Sequence, residues 1–236
     1  AVLAAILIAV ILAMPPGLPR GKKGAKFTEV FSRSSNVNIL SLARVFLFGA
    51  RDVWFVVGIP IYFSGVLSDG TPAGDRAAFF LIGGFMAGWI ILYGAVQASA
   101  PKLLGASRKS EADLIRTART AALALFVIPS LLALAAYLSG GAAGWLTATL
   151  VIGLLAFGAL FAVNSSLHSY LILAFSKDEQ VTMDVGFYYM ANAGGRLIGT
   201  VLSGATYQIG GLWLCLASAA VMVGISALAV GRLKPV

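Results

Sequence analysis

The chain has 236 residues, 59% of them hydrophobic and only 11% charged, with a mean hydropathy of +0.92. A soluble domain runs nearer half apolar and a quarter charged, so water is the wrong solvent for this sequence and the bilayer is the better ruler. The formal charge of +8 sits mostly in short loops between apolar runs rather than on one face of a soluble fold, which makes it a topology signal and excludes nucleic acid as a partner.

The first 14 residues, AVLAAILIAVILAM, are apolar but short for a span. They lack the positive leader and the small-residue cleavage site of a secretory signal. Residues 1–14 are therefore expected to be the remaining end of a transmembrane helix whose start is cut away, and residues 15–36, with PPGLPRGKKGAK, a basic linker. Six further apolar stretches follow, near Val37 to Leu67, Ala77 to Ala100, Ile115 to Leu138, Trp145 to Phe175, Asp184 to Gln208 and Leu212 to Val230. The single cysteine, Cys215, lies in the last of them and offers no disulfide, metal cluster or CxxC chemistry within one chain. No metal site and no cofactor is expected.

Orientation follows from Lys and Arg in the loops. With the linker inside, that side carries 13 basic residues (Arg20, Lys22, Lys23, Lys26, Arg33, Lys102, Arg108, Lys109, Arg116, Arg119, Lys177, Arg232 and Lys234) and the other side only Arg76. The linker and C-terminus are thus expected to be cytoplasmic in an inner-membrane, multi-pass protein. A helix end, a basic cytoplasmic linker and six spans match a twelve-helix transporter made of two parallel six-helix repeats. Residues 37–236 would be its C-terminal all-α six-helix bundle with a short tail.

An intramembrane charge must face protein or a water-filled cavity, because at mid-bilayer it costs about 2.5 to 3.5 kcal/mol even on lenient insertion scales. Arg51 lies about 20 Å into the first complete span and Arg196 about 18 Å into the fifth, both near the midplane. Arg44 stands one heptad before Arg51 on nearly the same face. It is either part of a cavity or a side chain that snorkels to the interface. The neighbouring Asp52 leaves two readings of Arg51 open, a substrate contact or a structural ion pair. Pro60 removes a backbone hydrogen bond where a kink would be useful.

In the fourth span, Asn164 and His168 share a face one turn apart, with Ser165 and Ser169 beside them. No second His or Cys stands at ligand spacing, so His168 points to substrate or proton handling or to a satisfied core position, and not to metal. In the fifth span Asp184, Tyr188, Asn192 and Arg196 fall at steps of four as one polar stripe. Gly194, Gly195 and Gly199 there allow close helix packing. Tyr93 and Gln97 are weaker candidates on the second span.

Three segments, LARVFLFGARDVWFVVGIPIYF from Leu42, FGALFAVNSSLHSYLI from Phe157 and DVGFYYMANAGGRLIGTVLSG from Asp184, resemble the C-terminal half of the ArsJ-type organoarsenical efflux permeases of the major facilitator superfamily. The resemblance covers the linker and all six spans. It implies a major facilitator fold and efflux of 1-arseno-3-phosphoglycerate, the ester formed when glyceraldehyde-3-phosphate dehydrogenase uses arsenate, and hence arsenate resistance. It also implies a transporter rather than an enzyme, a missing N-terminal half as the other wall of the cavity, and a functional link to that dehydrogenase. An ester bearing arsenate and phosphate suits arginine forks and hydrogen-bond donors. The substrate-contact candidates are Arg51, Arg196, Arg44, Asn164, His168, Asn192 and Tyr188. If export is proton antiport, as such exporters imply, the candidate carriers are Asp52, His168 and Asp184. Other readings are an exporter of another organophosphate, drug or sugar acid, a polytopic enzyme acting on a lipid phosphate, and a scaffold without transport.

Overall fold

The computed structural model describes residues 12–13, 31–105, 108–176 and 181–235. The chain divides into two compact units, Ala1–Val30 and Phe31–Val236. In the first unit only Leu12 and Ala13 are described, both helical. Apart from these two residues, the expected span remnant at 1–14 lies outside the described residues, as does most of the linker at 15–36. So do Lys177, Asp178 and Glu179.

In the second unit the described residues form five helices long and apolar enough to cross a membrane: α1 Ser35–Leu67, α2 Pro72–Leu104, α3 Glu111–Ser139, α4 Gly144–Phe175 and α5 Val181–Val230. Their ends follow from local chemistry. Ser34, Thr71 and Ser110 cap the starts of α1, α2 and α3 by accepting from the amides of Val37, Gly74 and Asp113. Gly105 and Gly140 end α2 and α3 with left-handed backbone, φ 57° and 61°. In the turn between α1 and α2 the hydroxyl and amide of Thr71 both donate to Asp69, at 2.7 and 2.9 Å, and hold its carboxyl below the usual carboxylate range.

The fifth and sixth expected spans are the two arms of α5, residues 181–210 and 212–230. Gly211 has φ 70° and ψ −157°, outside any helix. The consequence is a reversal: the Cys215 thiol lies 3.6 Å from the Ser203 carbonyl, whereas a continuous helix would separate these residues by about 18 Å. Counted this way the described residues of this unit hold six helical segments, the second arm of 19 residues being about 28 Å long. Along α2, Phe79, Phe80, Leu81, Ile90, Ile91 and Leu92 face outward. In water they would form an aggregating patch, and in a bilayer they are the contact surface. The chain is an all-α, multi-pass membrane protein.

Both termini of this unit lie at one end. Asn36 donates from Nδ2 to the Lys234 carbonyl at 2.7 Å and accepts the Lys234 amide at 3.2 Å. The Ser32 hydroxyl donates to Asp184 at 2.6 Å, tying the chain before α1 to the start of α5. This end also carries Lys102, in the last turn of α2, and Arg108 and Lys109, between α2 and α3.

Helix α1 runs through the centre, flanked by α4 and both arms of α5. Its approach to the first arm is backbone on backbone. A β-carbon at Gly195 would overlap the Val45 carbonyl, and one at Gly199 the Gly49 carbonyl, while one at Gly49 would come within 2.9 Å of the Gly195 carbonyl. Gly194, by contrast, meets open space, so two of the three glycines expected to pack do so. Above this contact α1 widens into a π turn at Trp54–Gly58, just before Pro60. The displaced Val57 amide donates to the buried Ser203 hydroxyl across the interface, at 3.1 Å. A neighbouring helix thereby satisfies the backbone group that the irregularity frees.

Candidate functional site

The glycine contact sets the site. With Gly49 and Gly199 touching, Asp52 and Arg196 are brought to the same depth from helices 144 positions apart, and Arg196 Nε donates to Asp52 Oδ2 at 3.1 Å. Arg51 holds the other oxygen, donating from Nε to Oδ1 at 2.6 Å with Nη2 at 2.5 Å. One carboxylate, with 3% of its side chain exposed, thus lies between two guanidiniums. That of Arg51 is 13% exposed and that of Arg196 57%. The two arginines expected to face an anion from opposite helices do converge, but on a carboxylate of the chain itself. Both readings of Arg51 remain chemically sound, since a displaceable counter-ion and a packing pair look alike at rest.

Arg44 is different. It is 4% exposed, so it does not snorkel to the interface. Its Nη1 donates to the carbonyl and hydroxyl of Ser165, at 3.3 and 3.0 Å, and its guanidinium lies over the rings of Phe48 (3.9 Å) and Tyr188 (4.8 Å). Among the described residues it has no carboxylate partner. The Phe48 ring is also 5.4 Å from the Arg51 guanidinium. One aromatic face thus separates two cations a heptad apart and attracts both. Sequence reasoning missed Phe48, although its position between Arg44 and Arg51 at steps of four and three was the available signal.

The polar face of α4 packs beside this centre. Asn164 and His168 are fully buried, and neither the Asn164 amide nor either His168 ring nitrogen has a hydrogen-bond partner among the described residues. His168 lies within electrostatic range of Arg44. From α2, Gln97 donates to the Ser165 hydroxyl at 3.3 Å, and its carbonyl accepts from Ser166 at 3.1 Å. Tyr93 stacks on Trp89, whose indole donates to the Leu154 carbonyl at 2.8 Å. An unpartnered amide and imidazole in an apolar interior would each cost several kcal/mol, so this is a place where protein alone does not satisfy its own polar groups.

The stripe on α5 is only partly one face. Steps of four advance about 40° each, so Arg196 lies about 120° round from Asp184. Tyr188 is buried, Asn192 half-buried with its side-chain oxygen unpartnered, and Arg196 at the rim. Asp184, about 18 Å below Arg196, is engaged by Ser32 at the bundle's end. The structure therefore gathers Arg44, Arg51, Asp52, Asn164, His168, Tyr188 and Arg196 around α1, and leaves Asp184 apart from them.

Comparison with known proteins finds no family model that matches the chain, and no curated protein or solved structure that matches it.

Proposed function

We propose that this protein exports an organic anion across the inner membrane, with the cationic centre around α1 as one wall of its substrate path. The observation that carries the reading is the charge balance of that centre: Arg51 and Arg196 share the one carboxylate of Asp52, and the buried Arg44 has no carboxylate partner among the described residues. Two uncompensated cations inside a membrane protein are expensive unless an anion or water reaches them, which is the situation of a substrate pathway. A scaffold gains nothing from them. The unpartnered groups of Asn164 and His168 add hydrogen-bonding capacity for a ligand with hydroxyl and oxyanion groups. In this scheme Asp52 is the resting counter-ion of Arg51 and Arg196, and an incoming phosphate or arsenate takes its place on the forks.

The finer identity rests on the resemblance of the three segments around these residues to the ArsJ-type permeases. On that reading the six helical segments are one repeat of a major facilitator transporter, the cargo is 1-arseno-3-phosphoglycerate, and the basic end is cytoplasmic. Inverted vesicles carrying the full-length protein, supplied with arsenate, glyceraldehyde 3-phosphate, its dehydrogenase and NAD, are expected to accumulate arsenic. Omitting the dehydrogenase should abolish it. Arg44→Lys keeps the charge and loses the planar fork, and should lower uptake by about 2 kcal/mol, roughly thirtyfold, at normal protein abundance. Vesicles that accumulate arsenic no better than empty ones would rule out this cargo, and uptake of another organophosphate instead would keep the transporter and change its substrate.

Sidedness has its own test. Single cysteines at Ser68 and Arg108, in a Cys215→Ala background, should react with an impermeant thiol reagent only at position 68 in intact cells. Labelling at 108 with 68 protected would invert the topology.

A further inference from the structure

We infer that the outer face of the bundle carries a binding groove for an anionic phospholipid, between α3 and the second arm of α5 at the basic end. The groove is a cavity of about 450 Å³ lined by Arg119, Leu123 and Phe126 on one side and Gly224, Leu228 and Arg232 on the other. Its polarity is graded along the membrane normal. Arg119 and Arg232 stand at the mouth, and Leu123, Phe126 and Leu228 follow inward over seven or eight residues, about 10 to 12 Å. The floor is glycine. The Phe126 ring lies 3.4 Å from where a Gly224 β-carbon would be, and Arg119 Nε 3.5 Å from where one at Gly231 would be.

The charges select the occupant. Neither arginine side chain has an ion pair or hydrogen bond with any described residue, and both are exposed. Arg119 precedes an uninterrupted uncharged run to Ser139, and Arg232 follows the last helical residue, Val230, so both stand where hydrocarbon gives way to headgroups. A phosphodiester at the two guanidiniums with an acyl chain over Leu123, Phe126 and Leu228 matches the groove in charge and in apolarity. A free phosphate would use the mouth and leave the apolar walls unused. A second copy packed symmetrically here would bring like charges together. This site is separate from the centre around α1 and does not depend on the transport reading.

The test uses the purified full-length protein in detergent, titrated with phosphatidylglycerol, phosphatidylcholine or glycerol 1-phosphate, and counts bound lipid by native mass spectrometry. Phosphatidylglycerol should bind, phosphatidylcholine weakly, and glycerol 1-phosphate not at all. Each surface cation is worth about fivefold in affinity for an anionic lipid, so R119Q/R232Q should bind phosphatidylglycerol about thirtyfold more weakly. Gly224→Leu, which fills the apolar floor and keeps both charges, should weaken it as well. Equal lipid binding by wild type and R119Q/R232Q would overturn the proposal. So would binding of glycerol 1-phosphate as tight as the lipid's, or dimerisation through this face that excludes lipid. Both arginines are exposed, and a melting curve for each variant verifies that lost binding is not lost folding.

Discussion

Replacing Gly195 with alanine is expected to deplete the folded protein, while the same change one residue earlier, at Gly194, is expected to be harmless. The difference is a single β-carbon and what it meets. At Gly195 it would overlap the carbonyl of Val45, a backbone atom that no side-chain rotation can move, whereas at Gly194 nothing lies within 4 Å. Ordinary overpacking costs about 1 to 3 kcal/mol because side chains yield. Here α1 and the first arm of α5 must separate along their whole contact, so the loss should exceed that range, at about 4 kcal/mol or more. Separation would also lengthen the Arg196 to Asp52 bond and the Val57 to Ser203 bond, since both cross the same interface. Gly194→Ala removes backbone freedom in a helix and should be neutral or stabilising by about 0.5 to 1 kcal/mol. The measurement is membrane abundance and melting temperature of the two variants side by side. Indistinguishable curves would show that the helices are not held in backbone contact there.

That interface explains why the sequence was informative about elements and less so about the site. The apolar runs mark the spans because a bilayer imposes length and hydropathy residue by residue, without reference to partners. The reversal at Gly211 was also local, since the fifth and sixth apolar runs break between Gln208 and Leu212, where Gly211 takes the positive φ. The site, by contrast, depends on which residues meet across helices. Arg51 and Asp52 are neighbours in sequence, so their pairing could be foreseen. The arrival of Arg196 on the same carboxylate could not, because it follows from Gly49 seating against Gly195 and Gly199. The π turn was equally hidden: Pro60 suggested a kink, but the hydroxyl that receives the freed amide, Ser203, comes from another helix. Arg44 was ambiguous for the same reason. Its position near the basic end allowed snorkelling, and only the rings of Phe48 and Tyr188 and the hydroxyl of Ser165, from three different helices, account for its burial.

Removing the charge of Asp52 should be the most damaging single change at the site itself. Asp52→Asn keeps the shape of the side chain but leaves Arg51 and Arg196 without a counter-ion, and breaking a buried pair by deleting one partner typically costs about 3 to 5 kcal/mol. The two arginines should not share that loss equally. Arg51 is 13% exposed, so its stranded charge has little access to solvent, while Arg196 is 57% exposed and its interaction is screened toward the value of a surface pair. A second substitution separates them. Asp52→Asn with Arg51→Gln should recover most of the lost abundance, and Asp52→Asn with Arg196→Gln little of it, because only the first removes the buried uncompensated cation. The conservative variants then speak to function. Arg51→Lys and Arg196→Lys retain the charge, so both should reach the membrane in normal amounts. If Asp52 is a counter-ion that a substrate anion replaces, each should lower transport, since lysine cannot present two parallel donors to an oxyanion. Normal transport at normal abundance in both lysine variants would leave the triad as packing alone. Full abundance of Asp52→Asn would show that the guanidiniums already reach water or an anion without it, and would remove the ion pair from the account of stability.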